Sequence, residues 1–174
     1  MIRVVRGDLS DQRVEGLMRP VRSDLAPVSN ASRDVVLVAG EELRDRLDRM
    51  GVLPVGGAVL TPAGLLQAPF LIHAVVMSED EPQSSISVQR ALRNGLRRAS
   101  DWGLGSLALP PFGMSVGAVD PEVAARVLVE ILFNHLDEGL APLDLTIVVS
   151  SDFEADLFDR LVQEMSRARS AGRN

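Results

Sequence analysis

SLALPPFGMSVGAVDP, residues 106–121, is the stretch of sequence that says most about the fold. Its first four residues, Ser106 to Leu109, are small or apolar and predict a short buried strand. Prolines and glycines then predict a loop, and Asp120 followed by Pro121 predicts the N-cap and first turn of a helix. The stretch therefore predicts a strand, a loop and a helix in close succession, which is the repeating unit of an α/β protein.

The rest of the chain repeats this alternation. Apolar or β-branched runs predict strands, and amphipathic runs that end at glycine predict helices. The predicted strands are 2–5, 14–18 (closed by Pro20), 58–61, 70–77, 106–109 and 143–149; the predicted helices are 41–50, 84–102, 120–135 and 152–165. Residues 34–39 have both strand and helix character, and 25–32 have a loop composition that lacks a glycine run. Because strands and helices alternate at crossover spacing in the second half, the sequence predicts an α/β domain with a mainly parallel sheet.

The length and charge indicate one compact domain. The chain has 174 residues, with 18 basic and 24 acidic side chains and a net charge of −6. We expect a single domain over residues 1–165 and a frayed polar tail over residues 166–174. Every apolar run is too short to span a bilayer and the N-terminus is charged from its third residue, so we expect a cytoplasmic location and no membrane contact.

Residue content also excludes several kinds of chemistry. With no cysteine, the chain has no disulfide, no thiolate metal site and no cysteine nucleophile. His73 and His135 are too few and too far apart for a His-rich metal site, so neither a metal nor another cofactor is predicted. The deficit of positive charge argues against binding extended nucleic acid. The four arginines between residues 90 and 98 interleave with apolar residues at helical spacing and fit a solvated helix face better than a binding surface.

Two polar features follow predicted strands, where α/β proteins bind their ligands. The loop 113–118 has two glycines and leads into a capped helix, so it fits either a phosphate site or an ordinary connection. Asp8 follows the first strand, and its carboxylate suits either the amino group of a base or a simple turn.

Read in order, six segments resemble the macro domain, the ADP-ribose-binding module. No single segment is decisive; their order and spacing carry the resemblance, which covers the chain from about residue 2 to about residue 162. The segments are IRVVRGDL at 2–9, VEGLM at 14–18, VAGEEL at 38–43, PVGGAVLTP at 54–62, FLIHAV at 70–75, and the strand and loop within 106–118.

The resemblance implies a three-layer α/β/α sandwich with a mixed, largely parallel sheet and a cleft across the strand ends. It implies that Asp8 contacts the adenine amino group, with the Leu9 backbone beside it. It assigns the diphosphate and the distal ribose to the second loop, which comprises Gly113, Met114, Ser115, Val116 and Gly117. Where an aromatic residue often stacks on adenine, this chain has Ser150, with Phe153 as a nearby substitute.

The chain departs from the family pattern at the positions nearest the distal ribose. The family's Asn-Ala-Ala-Asn is replaced by Arg19-Pro20-Val21-Arg22, so both amides are absent. Where the family has a run of glycines, this chain has PVSNAS at residues 27–32. The resemblance therefore implies that four residues without a glycine among them contact the ligand: Val28, Ser29, Asn30 and Ala31. Arg19 and Arg22 are candidate anion-binding residues if they enter the cleft, and are structural if they face solvent or pair with Asp24 or Asp34.

Three functions follow from this comparison. The first is a divergent macro-domain-like protein that binds ADP-ribose or a related nucleotide diphosphate without efficient hydrolase activity, because the family's catalytic Asn and glycine loop are missing. The second is a ligand-free scaffold that acts through protein contacts. The third and least favoured is an ADP-ribosyl hydrolase, for which Asp34 is the nearby acid to test. The oligomeric state is left open.

Overall fold

The computed structural model describes residues 1–114 and 120–172, which form an open sheet flanked by helices. The strands are β1 (Ile2–Arg6), β2 (Gly16–Arg22), β3 (Ala58–Pro62), β4 (Phe70–Met77), β5 (Ser106–Leu109) and β6 (Asp144–Val149). The helices are α1 (Asn30–Ala39), α2 (Glu41–Arg49), α3 (Ser85–Asp101), α4 (Pro121–Asp137) and α5 (Asp152–Ala171). The strand order is β1-β6-β5-β2-β4-β3, and every neighbouring pair is parallel except β3 with β4.

Apolar side chains on both faces of the sheet create two cores. Successive residues of a strand point to opposite faces, so Leu17 and Met18 of β2 belong to different cores. Leu17 packs with buried residues of α1 and α2, whereas Met18 packs with buried residues of α3, α4 and α5. Two helices on one face and three on the other give the three-layer α/β/α sandwich with a mixed, largely parallel sheet, as the sequence predicts.

The helices begin where the sequence provides N-caps. Ser84 and Ser87 form a reciprocal capping box at the start of α3. Asp120 accepts a hydrogen bond from the Glu122 amide at 2.8 Å, and Pro121 occupies the first turn of α4. The ambiguous segment 34–39 is helical because Ser29 caps α1 and because Val35 and Ala39, four residues apart, are both buried.

Strand β2 extends further than the sequence predicts. It continues through Pro20 to Arg22, pairing with β4 along its whole length. It pairs with β5 only at Gly16 and Leu17, so the β5 side of β2 has no ladder at Pro20. A residue without an N–H group is therefore tolerated there, and the predicted end at Pro20 is wrong.

Helix α5 also extends further, through residues that the sequence assigns to a frayed tail. Residues 166–171 are helical. Arg169 anchors this end, because its Nε donates to Asp137 Oδ2 at 3.0 Å and its Nη2 donates to Asn134 Oδ1 at 2.9 Å. Its guanidinium also lies 4.7 Å from the centre of the Phe133 ring. These contacts with α4 correct the predicted start of the tail.

The described parts of the chain contain neither a membrane-spanning helix nor a cluster of metal-ligating side chains. None of the helices there is both long enough and apolar enough to cross a membrane. Within the same residues, no three His, Asp or Glu side chains cluster in a way that could hold a metal ion.

Both histidines are buried in the cores, which changes their titration. Burial, and secondarily the positive charge of Arg19, holds the pKa of His73 well below its ordinary value of 6.5. Burial also lowers the pKa of His135, whose Nε2 lies 3.2 Å from the carbonyl oxygen of Pro142. Both rings are therefore neutral at pH 7 in the folded chain.

We predict that the free energy of unfolding decreases as the pH is lowered from about 7 to about 5.5. In the unfolded chain each histidine binds a proton near pH 6.5, whereas folded His73 and His135 do not, so acid favours the unfolded state. The slope is at most about 1.4 kcal/mol per pH unit for each histidine. Urea unfolding at several pH values measures this slope, and His73→Gln should reduce it. A free energy that stays constant or increases on acidification would contradict the prediction.

Candidate functional site

A cleft of about 610 Å³ opens beyond the carboxyl ends of the strands. The parallel strands β1, β6, β5 and β2 all end at this edge of the sheet, and β2 and β5 separate after Leu17. The volume lies within the range of about 300–1,000 Å³ that is usual for small-molecule sites. Nine of the predicted ligand-binding residues line it: Asp8, Leu9, Val28, Ser29, Asn30, Ala31, Gly113, Met114 and Ser150.

Asp8 lies at the β1 end of the cleft. The backbone just before Asp8 is held against the end of β6, because the Gly7 amide donates to the Val149 carbonyl oxygen at 3.0 Å. Leu9 is buried and begins a short 3-10 turn, Leu9–Asp11, which leaves Asp8 exposed. The Asp8 carboxylate accepts no hydrogen bond from the residues that the structure describes. It is thus a negatively charged acceptor available to a ligand.

The N-terminus of α1 forms the β2 side of the cleft. The Ser29 hydroxyl accepts a hydrogen bond from the Ser32 amide at 3.2 Å, and its carbonyl oxygen accepts one from the Arg33 amide at 3.1 Å. The amides of Asn30 and Ala31 precede these and have no acceptor within the described residues. Free amides at the positive end of a helix dipole favour an anion.

The loop after β5 forms part of the cleft wall. Pro110 and Pro111 line the cleft, and the next residue, Phe112, is buried and anchors the loop in the core. Gly113 has a φ of 77°, which favours glycine, and Met114 packs partly against the core. Ser115, Val116 and Gly117, which the sequence assigns to the phosphate loop, lie outside the described residues.

Glu154 is a cleft residue that the sequence reasoning missed. It lies in the first turn of α5, and its Oε2 accepts hydrogen bonds from the Ser150 amide at 2.9 Å and the Ser150 hydroxyl at 3.1 Å. Ser151 is the N-cap of the same helix, so Ser151 and Glu154 have the spacing of a capping box. That spacing was the signal that could have identified Glu154.

Phe153 is not brought into the cleft. Its side chain is 64% exposed and is absent from the cleft wall, although it precedes Glu154. The substitute predicted for the stacking residue therefore lies off the cleft wall, whereas Ser150, at the stacking position itself, lines it.

Arg19 is directed into the core rather than into the cleft. It is 1% exposed and lies on the face of the sheet that α1 and α2 cover. Its Nε donates to His73 Nδ1 at 2.8 Å, its Nη1 to the Ser32 carbonyl oxygen at 3.2 Å, and its Nη2 to the Leu25 carbonyl oxygen at 3.0 Å. These contacts correct the prediction of an anion site at Arg19.

The Arg19 contacts also define the state of His73. Because Nδ1 accepts from Arg19, the ring proton is on Nε2, which lies 2.9 Å from Thr61 Oγ1. Burial lowers the pKa of the Arg19 guanidinium to about 10, so it keeps its charge at pH 7. All the hydrogen bonds that it makes in the described residues go to uncharged acceptors.

Arg22 also stays out of the cleft. Its Nε lies 3.9 Å from Asp24 Oδ1, and both side chains are partly exposed. This matches the structural alternative for Arg22 and not the anion-binding one.

The charged groups on the described cleft wall are carboxylates: Asp8, Asp34 and Glu154. Asp34 accepts a hydrogen bond from Arg33 Nε at 3.1 Å, and both side chains are exposed. No Lys or Arg lines the described wall, so recognition of an anion there depends on backbone amides.

Comparison with known proteins agrees with this architecture. The macro domain family model matches residues 28–128, and the chain belongs to the macro domain family. A macro domain-containing protein of Caldanaerobacter subterraneus subsp. tengcongensis is 24% identical. The match covers 95% of this chain and 98% of that protein. An O-acetyl-ADP-ribose deacetylase of Enterobacter cloacae is 28% identical, with 94% of each chain covered.

Solved structures show the same fold. A variant of the Oceanobacillus iheyensis macrodomain with ADPR matches with a TM-score of 0.83 and 18% identity, covering 94% of this chain and 92% of that chain. These comparisons confirm the resemblance that the sequence segments indicated.

We predict that Arg19→Leu destabilises the fold and that Arg22→Leu does not. The first change leaves buried acceptors on His73, Ser32 and Leu25 without their donor, which costs about 2–4 kcal/mol. The second removes a long, exposed ion pair on the same strand and should change stability by less than about 0.5 kcal/mol. Chemical denaturation of both variants measures the difference. Equal stabilities would show that the buried guanidinium contributes nothing.

Proposed function

We propose that this chain binds ADP-ribose or a related nucleotide diphosphate in the cleft, without efficient hydrolysis of ADP-ribosyl bonds. The observation that carries the proposal is the open cleft of about 610 Å³, whose wall includes the Asp8 carboxylate and the N-terminal amides of α1, none of them paired within the described residues. A nucleotide diphosphate has the matching order of groups: an amino-bearing base, a ribose and a negatively charged diphosphate.

Asp8 suits the base. A carboxylate accepts hydrogen bonds only, and the adenine amino group donates them. Because Asp8 is exposed at the cleft wall and takes no hydrogen bond from the described chain, it would not have to break an existing contact to receive the base.

The α1 N-terminus and the Gly113 loop suit the diphosphate. The amides of Asn30 and Ala31, which have no acceptor among the described residues, provide donors at the positive end of a ten-residue helix. Gly113 has no side chain to obstruct a close approach from the other wall. Since the described part of the wall has no Lys or Arg, these donors would supply most of the attraction.

The relatives support this class of ligand. The name of the Enterobacter cloacae relative refers to a derivative of ADP-ribose, and the Oceanobacillus iheyensis macrodomain was solved with ADPR. A ligand-free scaffold is less well supported, because Val28 and Met114 line the cleft without filling it.

The residues predicted to lie near the distal ribose do not favour hydrolysis. The resemblance places an Asn at position 19, and Arg19 there is directed into the core. Catalysis through a positioned water is sensitive to shifts of about 1 Å, so loss of the supporting amide should abolish it. Asp34, the nearby acid, is paired with Arg33 at the rim.

Calorimetric titration with ADP-ribose, ADP and IDP tests binding at the base. We expect wild-type protein to bind ADP-ribose and ADP. Asp8→Ala should weaken the binding of ADP by about tenfold, because it removes a charge-assisted hydrogen bond. IDP lacks the amino group, so Asp8→Ala should not weaken the binding of IDP. Asp11→Ala is the matched control, because Asp11 lies in the same turn but not on the cleft wall. No heat of binding at millimolar ADP-ribose would refute the proposed function.

The absence of efficient hydrolysis is tested with an ADP-ribosylated protein substrate. We expect the purified chain to release no more ADP-ribose than buffer alone, and Asp34→Asn to behave identically. Release that is fast and depends on Asp34 would instead support the hydrolase alternative.

A further inference from the structure

We propose that Glu154 recognises the ribose next to the base and selects an unmodified 2′,3′-diol. This inference rests on the proposed function, because it assigns a role within the same nucleotide site. It concerns a residue whose backbone and side chain are both placed by hydrogen bonds to the N-cap region of α5.

The order of strands sets the order of groups along the cleft. β1 lies next to β6, β6 next to β5, and β5 next to β2. The free Asp8 carboxylate follows β1, Ser150 and Glu154 follow β6, Gly113 follows β5, and the α1 N-terminus adjoins β2. Because β6 lies between β1 and β5, a nucleotide with its base at Asp8 and its diphosphate at Gly113 passes its ribose across the end of β6.

Glu154 is held in a defined orientation at that point. Two donors of Ser150, the amide at 2.9 Å and the hydroxyl at 3.1 Å, both bind Oε2. Oε1 accepts no hydrogen bond from the described residues, although the side chain is half-buried in the cleft wall. The carboxylate is thus fixed at one oxygen and has acceptor capacity at the other.

This arrangement discriminates among riboses by simple chemistry. Ribose hydroxyls donate to a carboxylate, and dinucleotide-binding α/β folds use an Asp or Glu carboxylate in this way to recognise the 2′-hydroxyl of a ribose. A 2′-deoxyribose lacks the donor, and a 2′-phosphate brings negative charge to a wall whose described charged groups are all carboxylates. The described wall offers no Arg or Lys to compensate.

The experiment compares ADP, 2′-deoxy-ADP and 2′-phospho-ADP by calorimetry with wild-type protein, Glu154→Gln and Asp152→Asn. We expect wild-type protein to prefer ADP to each analogue by about tenfold or more. In Glu154→Gln the Ser150 donors hold the amide oxygen, so the NH₂ group faces the cleft and can donate to a phosphate. The preference for ADP over 2′-phospho-ADP should then fall by about tenfold or more.

Asp152→Asn is the matched control, because it removes the same charge from the same helical turn at a residue that pairs with Arg6 outside the cleft wall. It should retain the wild-type preferences. If wild-type protein binds ADP but treats the three ligands alike, or if Glu154→Gln retains the full preference, the inference about Glu154 is overturned and the proposed function stands. If none of the three ligands binds, the inference about Glu154 is overturned, and the proposed function falls with it only if ADP-ribose also gives no heat of binding.

Discussion

Parallel pairing of β1, β6, β5 and β2 is the constraint on which the site depends. Parallel strands end at the same edge, so the segments that follow them meet there even though they are far apart in sequence. Asp8, Ser150 and Gly113 come together in this way. Because β2 leaves β5 after Leu17, the same edge also opens into a cavity. The fold therefore creates both the cleft and the order of chemical groups along it.

The buried Arg19 shows how the chain joins its sheet to the helix that lines the cleft. A guanidinium in the core is costly unless every donor finds an acceptor. Arg19 binds His73 on β4, Ser32 on α1 and the Leu25 carbonyl oxygen between them, so it connects the sheet to the helix whose N-terminus lines the cleft. A residue that the resemblance places beside a ligand has become part of the core. Glu154 combines two positions, because its Oε2 accepts hydrogen bonds from Ser150 at the start of α5 and the residue also lines the cleft.

The sequence predicted the elements whose signals are local. Strands 70–77 and 106–109 were placed to the residue, and Asp120-Pro121 identified the start of α4. The extension of β2 through Pro20 is possible because β2 no longer pairs with β5 at that residue. The extension of α5 to Ala171 depends on the contacts of Arg169 with α4. Neither condition is visible in a local sequence pattern. Asp8, Gly113 and Met114 line the cleft because position after a strand is a topological property that the sequence reveals, whereas the other six predicted residues that line it come from the family resemblance. The direction of Arg19 could not be predicted, since it depends on the uncharged acceptors that tertiary packing brings around it.

The most direct test of the nucleotide site is a titration followed through backbone amide signals in two-dimensional NMR, using adenosine and pyrophosphate separately. We expect adenosine to shift the amide signals of Asp8 and Ser150, and pyrophosphate to shift those of Asn30, Ala31 and Gly113. ADP should shift both groups of signals. If no signals move, or if only signals from the outer faces of α3 and α4 move, the cleft is not a nucleotide site.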